Sequence, residues 1–524
     1  VHWPKSDAEH LIVTAREMIN LEEMILSSGL PVEALMEKVG QKMSRWFLNR
    51  ADLISKGVIV LVGPGHNGGD GLVVARELHL AGINVSICCP LPLIKPLTIK
   101  QFSYATWLGI KQIKNIPNAG GEELWIEALL GVGQSRTLPS KILDLLESRQ
   151  IKCPGKLVSL DVPAGLCSDT GRPLKRIAAC ASFTLTVGFY KRGLIQDAAL
   201  PFVGNLIRID FGFPEKVLRE WISKASCRVN FSDINNFDWP TPSLIASKYE
   251  RGRVLVIAGS EKYPGAAVLT IKGVLASGAG SLKAALPKIL ADSLWEFQPE
   301  VVLAESLKSS RCGGVNIGSF LQNYDFHQID SLVIGPGIGF SDEIWSEVSS
   351  QLEIFEGLII FDADALNRIS KDQKGWQWLR KRKGNTVITP HIQEFKRLFK
   401  DIDHSCPISA AIEAAKLSGA GILLKGAHSV FAAPSGESWV IGESAPWVAR
   451  TGLGDVLAGF LAGVGSLYLA IHKRIDWDIF AAATLIHASS AKDCKNGSTA
   501  TEISSFLAAE VKNINKVEYL EKEI

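Results

Sequence analysis

Short apolar runs alternate with amphipathic stretches along both halves of the chain. In the first half, the apolar run Val58 to Val62 is followed by a glycine-rich turn, a helical stretch at Leu72 to Leu80 and a second apolar run at Val85 to Cys89. This order predicts strand, turn, helix and strand, with Val32 to Phe47 as a docking helix before them. Three further strands are predicted at Leu157 to Leu160, Phe183 to Val187 and Leu206 to Ile209. The first half is therefore expected to form a parallel sheet flanked by helices.

A polar, proline-containing segment from Asp233 to Ser243 lacks the period of a packed element. We therefore predict a linker at residues 231–245, between a first domain at 1–230 and a second at 246–524. Two domains also suit a length of 524 residues. The second domain is predicted to be another α/β domain, with strands at Arg253 to Ala258, Ser331 to Ile334, Leu358 to Phe361, Thr386 to Ile388 and Gly421 to Leu424.

The composition narrows the classes of function. Lys and Arg total 56 against 54 for Asp and Glu, so no long-range field attracts nucleic acid or a membrane surface. Apolar runs such as Val58 to Val62 are shorter than the ~20 residues that span a bilayer, and Asp7 and Glu9 do not suit a signal peptide. The nine cysteines lack CxxC spacing and favour reduced thiols. We expect a cytoplasmic protein without a nucleic-acid or membrane partner.

The first candidate site is the glycine-rich segment Gly63 to Gly71, which follows an apolar strand and opens a helix. Its backbone amides and small residues suit an anion such as a phosphate, although a plain strand-helix turn is the alternative. A second glycine run, Gly131 to Arg136, ends in a cation that could complete a phosphate cradle. It could equally be only a turn.

Asp161 and Lys191 each follow a predicted strand of the same sheet. The carboxyl ends of parallel strands form the edge where open α/β sheets bind ligands, so the two side chains are expected to reach one crevice. A carboxylate and an amine there could perform acid and base chemistry. A solvated ion pair is the alternative.

Residues from about 10 to 212 resemble the NAD(P)H-hydrate epimerase family, also called the YjeF N-terminal domain. The resemblance runs from Ala34-Leu35-Met36-Glu37 through the glycine-rich segment to Asp161. It implies a Rossmann-like parallel-sheet sandwich, with Asp161 and Lys191 serving epimerisation. It also implies a potassium ion near Asn67, Glu127 and Ala164. The residues implied to face the dinucleotide are His66, Asn67, Gly68, Gly69, Asp70, Gly131, Val132, Gly133, Gln134, Ser135, Arg136, Thr137 and Asp161.

Three positions depart from that family's pattern. His66 stands where the family usually has Asn, Glu127 where it usually has Asp, and Ala164 where it usually has a Ser whose hydroxyl helps to hold the ion. Ala164 therefore removes one oxygen, which the longer Glu127 or a water must replace. A binding or scaffolding domain without turnover is the competing hypothesis for this half.

Several loops of the second half follow predicted strands and carry candidate chemistry. His391 and Glu394 lie three residues apart at a helix start, where they could orient substrate and a hydrated magnesium ion. As a pair they could also be ordinary surface residues. Lys425 opens a turn suited to a nucleotide phosphate. The segment Thr451 to Gly459 is the most specific, because its glycines provide an anion hole and Asp455 can take a proton from an attacking hydroxyl. A structural N-cap is the alternative for Asp455.

This ordered set, over about residues 245 to 510, resembles the ADP/ATP-dependent NAD(P)H-hydrate dehydratase family, a branch of the ribokinase-like fold. The resemblance implies that a nucleotide phosphorylates the hydroxyl on carbon six of the hydrated nicotinamide ring, after which phosphate leaves. Magnesium and ADP, or ATP, are the implied cofactor and co-substrate; the fused arrangement favours ADP. The residues implied to face the hydrate are Ala266, Gly337, Gly339, His391 and Asp455. Those implied to face the nucleotide are Lys425, Gly426, Ala427, His428, Ser429 and Gly454.

The second half also departs from its family's pattern. Ser247-Lys248 replaces the usual His-Lys, Gln393 replaces a Gly, and the segment before Asp455 is altered at Trp447, Arg450 and Thr451.

Both resemblances suit one pathway of nicotinamide cofactor repair. The chain is predicted to epimerise R and S NAD(P)H hydrates and to dehydrate the S form, and we expect a homo-oligomer. One alternative is a ribokinase-like kinase of a vitamin precursor, fused to a non-catalytic dinucleotide-binding domain. Another is a regulatory protein in which both halves bind and neither turns over.

Overall fold

The computed structural model describes residues 3–5, 7–214, 218, 226–442 and 449–521, so Trp447 lies outside the described residues. The chain forms two compact units, Lys5–Ser226 and Cys227–Ile524, and the second also includes Val1–Pro4. The boundary therefore falls shortly before the predicted linker.

The N-terminal unit is built on a parallel sheet, as predicted. All five residues of its strand Val58–Val62 are buried, because helices cover both faces of such a sheet. Outside this sheet, Leu11–Val13 pairs in parallel with Tyr190–Lys191. In spatial order the seven strands are Lys111–Gln112, Val85–Cys88, Val58–Val62, Leu124–Ala128, Leu157–Leu160, Phe183–Val187 and Asn205–Ile209.

The helices of this unit supply amphipathic faces to the sheet. In Val32–Leu48, for example, Met36, Val39, Met43 and Phe47 are buried at helical spacing. The α-helices are Ala15–Ser27, Val32–Leu48, Ala51–Ile54, His66–Leu80, Pro96–Trp107, Ser140–Lys152 and Leu200–Val203, and 3-10 helices span Arg192–Ile195 and Asp197–Ala199.

The helix His66–Leu80 begins six residues earlier than predicted, so most of the glycine-rich segment is helical. Its glycines permit close packing. A Cβ on Gly68 would collide with the carbonyl oxygen of Gly63, and a Cβ on Gly71 would lie 2.5 Å from the Cβ of Ala128. Glycine is unfavourable inside a helix in isolation, and here tertiary contact with the strand outweighs that preference.

The C-terminal unit contains a larger mixed sheet. Its first seven strands are parallel, whereas Val430–Ala432 is antiparallel to both neighbours. The last strand, Ser226–Val229, is again parallel to its neighbour Ser438–Ile441. In spatial order the strands are Val302–Leu307, Ser281–Pro287, Arg253–Ile257, Ser331–Ile334, Leu358–Phe361, Thr386–Ile388, Gly421–Leu424, Val430–Ala432, Ser438–Ile441 and Ser226–Val229.

Helices pack on this sheet, and Leu453–His472 lies at the centre of the unit. A Cβ on Gly459 would collide with the carbonyl oxygen of Thr270, so this helix packs closely on Pro264–Ala276. The α-helices are Pro264–Ala276, Lys288–Ala291, Leu294–Phe297, Gly318–Asn323, Trp345–Ile354, Asp364–Lys371, Ile392–Leu398, Pro407–Ser418, Leu453–His472, Asp478–Asp493 and Ala500–Glu521. The 3-10 helices are Phe231–Asn236, Phe326–Gln328 and Gly375–Lys381.

Leu453–His472 is also long and apolar enough, by length and composition, to cross a membrane, and it is the one helix among the described residues that meets this test. The sequence estimate of apolar runs overlooked it because glycines and polar residues interrupt the run. Most of its residues are buried in the unit's own core.

The segment predicted as a linker is largely packed. Phe231–Asn236 is a 3-10 helix with a capping box, and Trp239 is only 1% exposed. The Trp239 ring stacks on Phe460 with centroids 6.5 Å apart. The prolines and polar residues suggested a linker, but the aromatic residues between them bind this segment to the core.

Candidate active sites

The N-terminal unit pairs Asp161 with Lys191 at the carboxyl end of its sheet. Asp161 follows the strand Leu157–Leu160 and adopts a left-handed backbone conformation, φ +66°, that is rare for a residue with a side chain. Lys191 Nζ donates to Asp161 Oδ1 at 2.6 Å and to Thr186 Oγ1 at 3.1 Å. The lysine is 1% exposed and the aspartate 7% exposed. The alternative of a solvated ion pair is therefore wrong, because the pair is buried.

The second glycine run meets Asp161 directly. The amide of Val132 donates to Asp161 Oδ2 at 2.8 Å, and a Cβ on Gly131 would lie 3.4 Å from the Cβ of Asn67. Gln134 links this run to the loop after Asp161, since its Nε2 donates to the Pro163 carbonyl at 3.0 Å. The structure thus brings parts of both glycine segments together at Asp161. The remaining side of the run is exposed, at Gly133, Ser135, Arg136 and Thr137, and so is His66.

Asn67, in the first turn of His66–Leu80, and Glu127, in the strand Leu124–Ala128, supply buried oxygens. Asn67 Nδ2 donates to the carbonyls of Leu130 at 2.9 Å and Leu160 at 3.1 Å, which leaves its buried Oδ1 without a hydrogen-bond partner. Glu127 accepts from the amides of Leu129 at 2.7 Å and Ala164 at 3.1 Å. Burial raises the pKa of Glu127 to about 7.

These oxygens suit a cation that prefers oxygen ligands. The unpartnered Asn67 Oδ1 and the buried Glu127 carboxylate fit potassium, and a cation there would favour the ionised form of Glu127. Ala164 is fully buried and contributes its amide to Glu127 rather than an oxygen to an ion.

Two further carboxyl groups interact with the Asp161–Lys191 pair. Asp70 lies in the second turn of His66–Leu80, and burial together with the charges of Asp161 and Glu22 raises the pKa of Asp70 well above its usual range. Burial also raises the pKa of Glu22 to about 7, opposed by Lys191 and aided by Asp161. The sequence analysis included Asp70 and missed Glu22. The available signal was weak: Glu22 follows the buried Met18 by four residues in an amphipathic helix.

The C-terminal unit contains a second lysine–aspartate pair, in which the aspartate is buried and the lysine is partly exposed. Lys425 Nζ donates to Asp362 Oδ1 at 2.6 Å, and Thr389 Oγ1 donates to the same oxygen at 2.8 Å. Asp362 is 2% exposed and follows the strand Leu358–Phe361. Burial lowers the pKa of Lys425, but the charges of Asp362 and Glu394 outweigh burial and the net shift is upward. The sequence analysis assigned no role to Asp362.

Asp455 lies beside this pair, in the first turn of Leu453–His472. A Cβ on Gly454 would lie 3.4 Å from Lys425 Nζ and 3.8 Å from Asp362 Oδ2, so the glycine loop and the pair meet. Burial raises the pKa of Asp455 to about 7, with Asp362 adding to the shift and Lys425 opposing it. Gly452, rather than Asp455, is the N-cap of the helix. The N-cap alternative for Asp455 is therefore wrong.

His391 and Glu394 form a capping box at the start of Ile392–Leu398. His391 Nδ1 accepts from the amide of Gln393 at 3.1 Å, and Glu394 Oε2 accepts from the amide of His391 at 2.9 Å. The His391 side chain is half exposed, whereas Glu394 is buried. Burial and the charge of Asp362 raise the pKa of Glu394. This arrangement holds the half-exposed imidazole in a fixed direction.

Ala266, in the first turn of Pro264–Ala276, lies beside the loop that carries Gly337 and Gly339. A Cβ on Gly337 would lie 2.7 Å from that of Ala266, and the amide of Gly339 donates to Asp364 Oδ2 at 2.9 Å. Arg368 holds the loop, because it donates to the carbonyls of Gly339 at 2.8 Å and Ile338 at 3.0 Å. Arg368 was missed because arginine inside a helix carries no signal of such contacts.

The predicted nucleotide turn follows Lys425. Ser429 Oγ donates to the carbonyl of Gly426 at 3.3 Å, which closes the turn, and Gly426 and Ala427 are exposed while His428 is half-buried. Among the residues that the structure describes, no group of three His, Cys, Asp or Glu side chains could hold a metal by itself. Magnesium carried on nucleotide phosphates needs only one or two protein carboxylates, so the site fits it in that form.

Both sites lie at the carboxyl ends of parallel strands, which defines a two-domain α/β protein with acid–base groups in each domain. A family model described as YjeF-related protein N-terminus matches residues 32–193, and one described as NAD(P)H-hydrate dehydratase matches residues 254–513. Two curated relatives are named bifunctional NAD(P)H-hydrate repair enzyme. The protein from Gloeobacter violaceus is 38% identical over 86% of this chain and 88% of its own. The protein from Synechocystis is 37% identical over 86% of this chain and 85% of its own.

The chain therefore belongs to the family of bifunctional NAD(P)H-hydrate repair enzymes, which confirms the resemblance of both halves. A solved ADP/ATP-dependent NAD(P)H-hydrate dehydratase from Bacillus subtilis, crystallised with ATP and magnesium, covers 54% of this chain and 97% of its own, with 23% identity and a TM-score of 0.45.

Proposed function

We propose that this chain repairs hydrated nicotinamide cofactors in two steps. The N-terminal unit interconverts the R and S hydrates of NAD(P)H, and the C-terminal unit dehydrates the S form at the expense of ADP, with ATP as the other candidate. The observation that supports this most directly is Asp455, a carboxyl group with a pKa of about 7 beside the glycine loop and Lys425.

In the C-terminal site, we assign Asp455 as the base for phosphoryl transfer. Asp455 takes the proton from the ring hydroxyl, the hydroxyl oxygen bonds to the terminal phosphorus of the nucleotide, and the old phosphorus–oxygen bond breaks. Phosphate then leaves carbon six with its bonding electrons, and the neighbouring carbon gives a proton to solvent. The electrons of that carbon–hydrogen bond form the ring double bond that restores the dihydronicotinamide. The amides at Gly454 and the ammonium of Lys425 offset the phosphoryl charge.

The other loops bind the two ligands. Ala266, Gly337 and Gly339 provide a flat surface of small residues for the hydrate, while His391 contacts it with its exposed imidazole. Gly426, Ala427, His428 and Ser429 form the turn for the nucleotide. Magnesium, when bound, would neutralise the phosphate charge, and Glu394, a buried carboxylate that interacts with Lys425, could hold its hydration shell.

In the N-terminal site, Asp161 and Lys191 hold opposite charges against the hydrated ring. The backbone amides at the start of His66–Leu80 and in Gly131 to Thr137 suit the pyrophosphate of the dinucleotide. Potassium, when bound by Asn67 and Glu127, would place positive charge beside these amides.

The test follows absorbance at the reduced-nicotinamide band while the purified chain receives mixed NADH-hydrate epimers, magnesium and ADP, then ATP instead. We expect complete recovery of NADH. An Asp161→Ala variant measures spontaneous epimerisation, which is subtracted.

Each other outcome removes a defined part of the proposal. Recovery that stops at the share of one epimer would retain the dehydratase and remove the epimerase. A stable phosphorylated product without NADH would indicate the vitamin-precursor kinase. Binding of hydrate without any product would indicate a regulatory protein.

A further inference from the structure

Glu22 lies on a helix that the strand pairing brings to the Asp161–Lys191 pair. The strand Leu11–Val13 pairs in parallel with Tyr190–Lys191, and Val13 is the register partner of Lys191. The helix Ala15–Ser27 begins immediately afterwards, so its first turns lie beside the end of the strand that carries Lys191.

Packing fixes which face of that helix points to the site. A Cβ on Gly188 would lie 2.7 Å from Met18 Cε, so Met18 packs against the turn that precedes Lys191. Glu22 is one helical turn after Met18 and therefore on the same face. The Glu22 side chain is half-buried, whereas the next residue, Glu23, is exposed.

The charges around Glu22 do not balance if every group is ionised. Glu22 interacts with Lys191 and Asp161, and Asp70 on the helix His66–Leu80 interacts with Asp161 and Glu22. Three carboxyl groups thus share one ammonium in a largely buried site. Repulsion between like charges therefore favours a proton on at least one of these carboxyl groups.

Asp161 accepts hydrogen bonds from Lys191 at 2.6 Å and from the amide of Val132 at 2.8 Å, so it is the carboxyl group that the ammonium contacts directly. Burial and the charges of Asp161 and Glu22 raise the pKa of Asp70 well above its usual range, so Asp70 is the other candidate for this proton. The pKa of Glu22 is raised to about 7, so Glu22 can both give and regain a proton there.

We propose that Glu22 is the proton donor of the epimerase site; this rests on the proposed function of the N-terminal unit. Glu22 gives its proton to the hydroxyl on carbon six, the carbon–oxygen bond breaks, and water leaves while the ring nitrogen forms a double bond to carbon six. Water then adds to the opposite face of the ring. This water releases its proton to solvent, and the half-buried Glu22 carboxylate takes a proton back from solvent, so no proton is gained or lost overall.

The experiment uses the full chain with Asp455→Asn, in which dehydration is blocked. Purified R hydrate is incubated with it, and chromatography follows the appearance of the S hydrate from about pH 6 to about pH 9. In this parent the rate should fall as pH rises through about 7, because the acid form of Glu22 is the active form. Glu22→Gln should be roughly 100-fold slower and should lose this fall.

Two companion variants separate proton donation from folding. Glu23→Gln, on the adjacent exposed position, should match the parent in rate and pH profile. Glu22→Asp should be slower, but its rate should still fall as pH rises. If thermal unfolding shows that Glu22→Gln is not folded, Glu22→Asp provides the test instead.

A pH profile of Glu22→Gln that matches Glu23→Gln would overturn the proposal, as would parental rate and profile in Glu22→Asp. If the parent itself fails to interconvert the hydrates, the epimerase function fails, and Glu22 fails with it. Asp70→Asn tests Asp70 as the alternative proton donor. If the epimerisation rate no longer fell with rising pH in Asp70→Asn but still fell in Glu22→Gln, Asp70 rather than Glu22 would be the donor.

Discussion

The two units contain the same charged pair in different surroundings. In each, a lysine donates at 2.6 Å to an aspartate at the carboxyl end of a parallel sheet: Lys191 to Asp161 and Lys425 to Asp362. Each pair also has a further carboxyl group nearby with a pKa of about 7, Glu22 in one unit and Asp455 in the other.

The difference between the units lies in where that further carboxyl originates. Asp455 belongs to a helix that begins in a glycine loop, so it accompanies an anion hole. Glu22 belongs to a helix that precedes the sheet and is associated with no such loop. In the proposed mechanisms, the pair supplies fixed charge in both sites and the partner carboxyl supplies the proton chemistry. That chemistry would be coupled to a phosphate in the C-terminal site and would act on the hydroxyl alone in the N-terminal site.

The largest expected effect separates the two sites by one substitution. Asp455→Asn should reduce dehydration by roughly 100- to 10,000-fold, because an amide cannot accept the hydroxyl proton. Epimerisation should continue at the parental rate. NADH recovery measures the first activity and chromatography of the hydrates the second. Asp401→Asn, an exposed carboxylate in the same unit, is the control. Dehydration above about a tenth of the parental rate, a loss below ~1.4 kcal/mol, would remove the base assignment.

The second prediction compares the stabilities of the two pairs. Lys191→Met should destabilise its unit by about 3–5 kcal/mol, because it leaves Asp161 buried without a counter-charge. Lys425→Met should cost less, because the Lys425 side chain is 22% exposed and that of Lys191 only 1%. Urea denaturation measures both.

The double variants sharpen this comparison. Asp161→Asn in the Lys191→Met chain, and Asp362→Asn in the Lys425→Met chain, should each restore part of the lost stability, since the remaining group is then uncharged. Equal losses for the two lysine variants would contradict the difference in burial. No recovery in the double variants would show that packing, rather than charge, causes the loss.

The third prediction concerns the pH dependence of dehydration. Asp455 must be ionised to accept a proton, and its pKa is raised to about 7. The kcat/KM of dehydration should therefore fall about tenfold per unit as pH decreases below 7 and level off above it. Initial rates at saturating nucleotide measure this. The direction is opposite to that expected for epimerisation through Glu22, so both activities falling in the same direction would contradict one of the two assignments.

Most of the fold was predictable, because the strands of both sheets are short apolar runs with clear ends. Val58–Val62, Leu157–Leu160 and Leu358–Phe361 lie where the pattern predicts them. The errors arose where tertiary contacts override local preference. Glycines that suggested a loop lie inside His66–Leu80, and the segment that suggested a linker is held by Trp239 in a core.

The site residues that belong to sequence motifs after predicted strands could be predicted. Asp161, Lys191, Lys425 and Asp455 are brought into two clusters as expected. Their partners were not predictable, because Glu22 acts from a separate helix whose approach depends on strand pairing.

The smallest expected effect concerns the position that departs most from the epimerase pattern. Ala164 is fully buried, and its amide donates to Glu127, next to the proposed potassium ligands. Ala164→Ser adds one hydroxyl oxygen, which should lower the potassium concentration for half-maximal epimerisation about threefold, as expected for one neutral polar contact.

Epimerisation is measured in the Asp455→Asn chain against potassium chloride, with choline chloride holding ionic strength constant. Ala179→Ser is the control, because Ala179 is also buried and its amide donates to the Ala164 carbonyl at 2.9 Å. An unchanged potassium dependence in Ala164→Ser would place the ion away from this loop, and the Asn67 and Glu127 oxygens would then need another role.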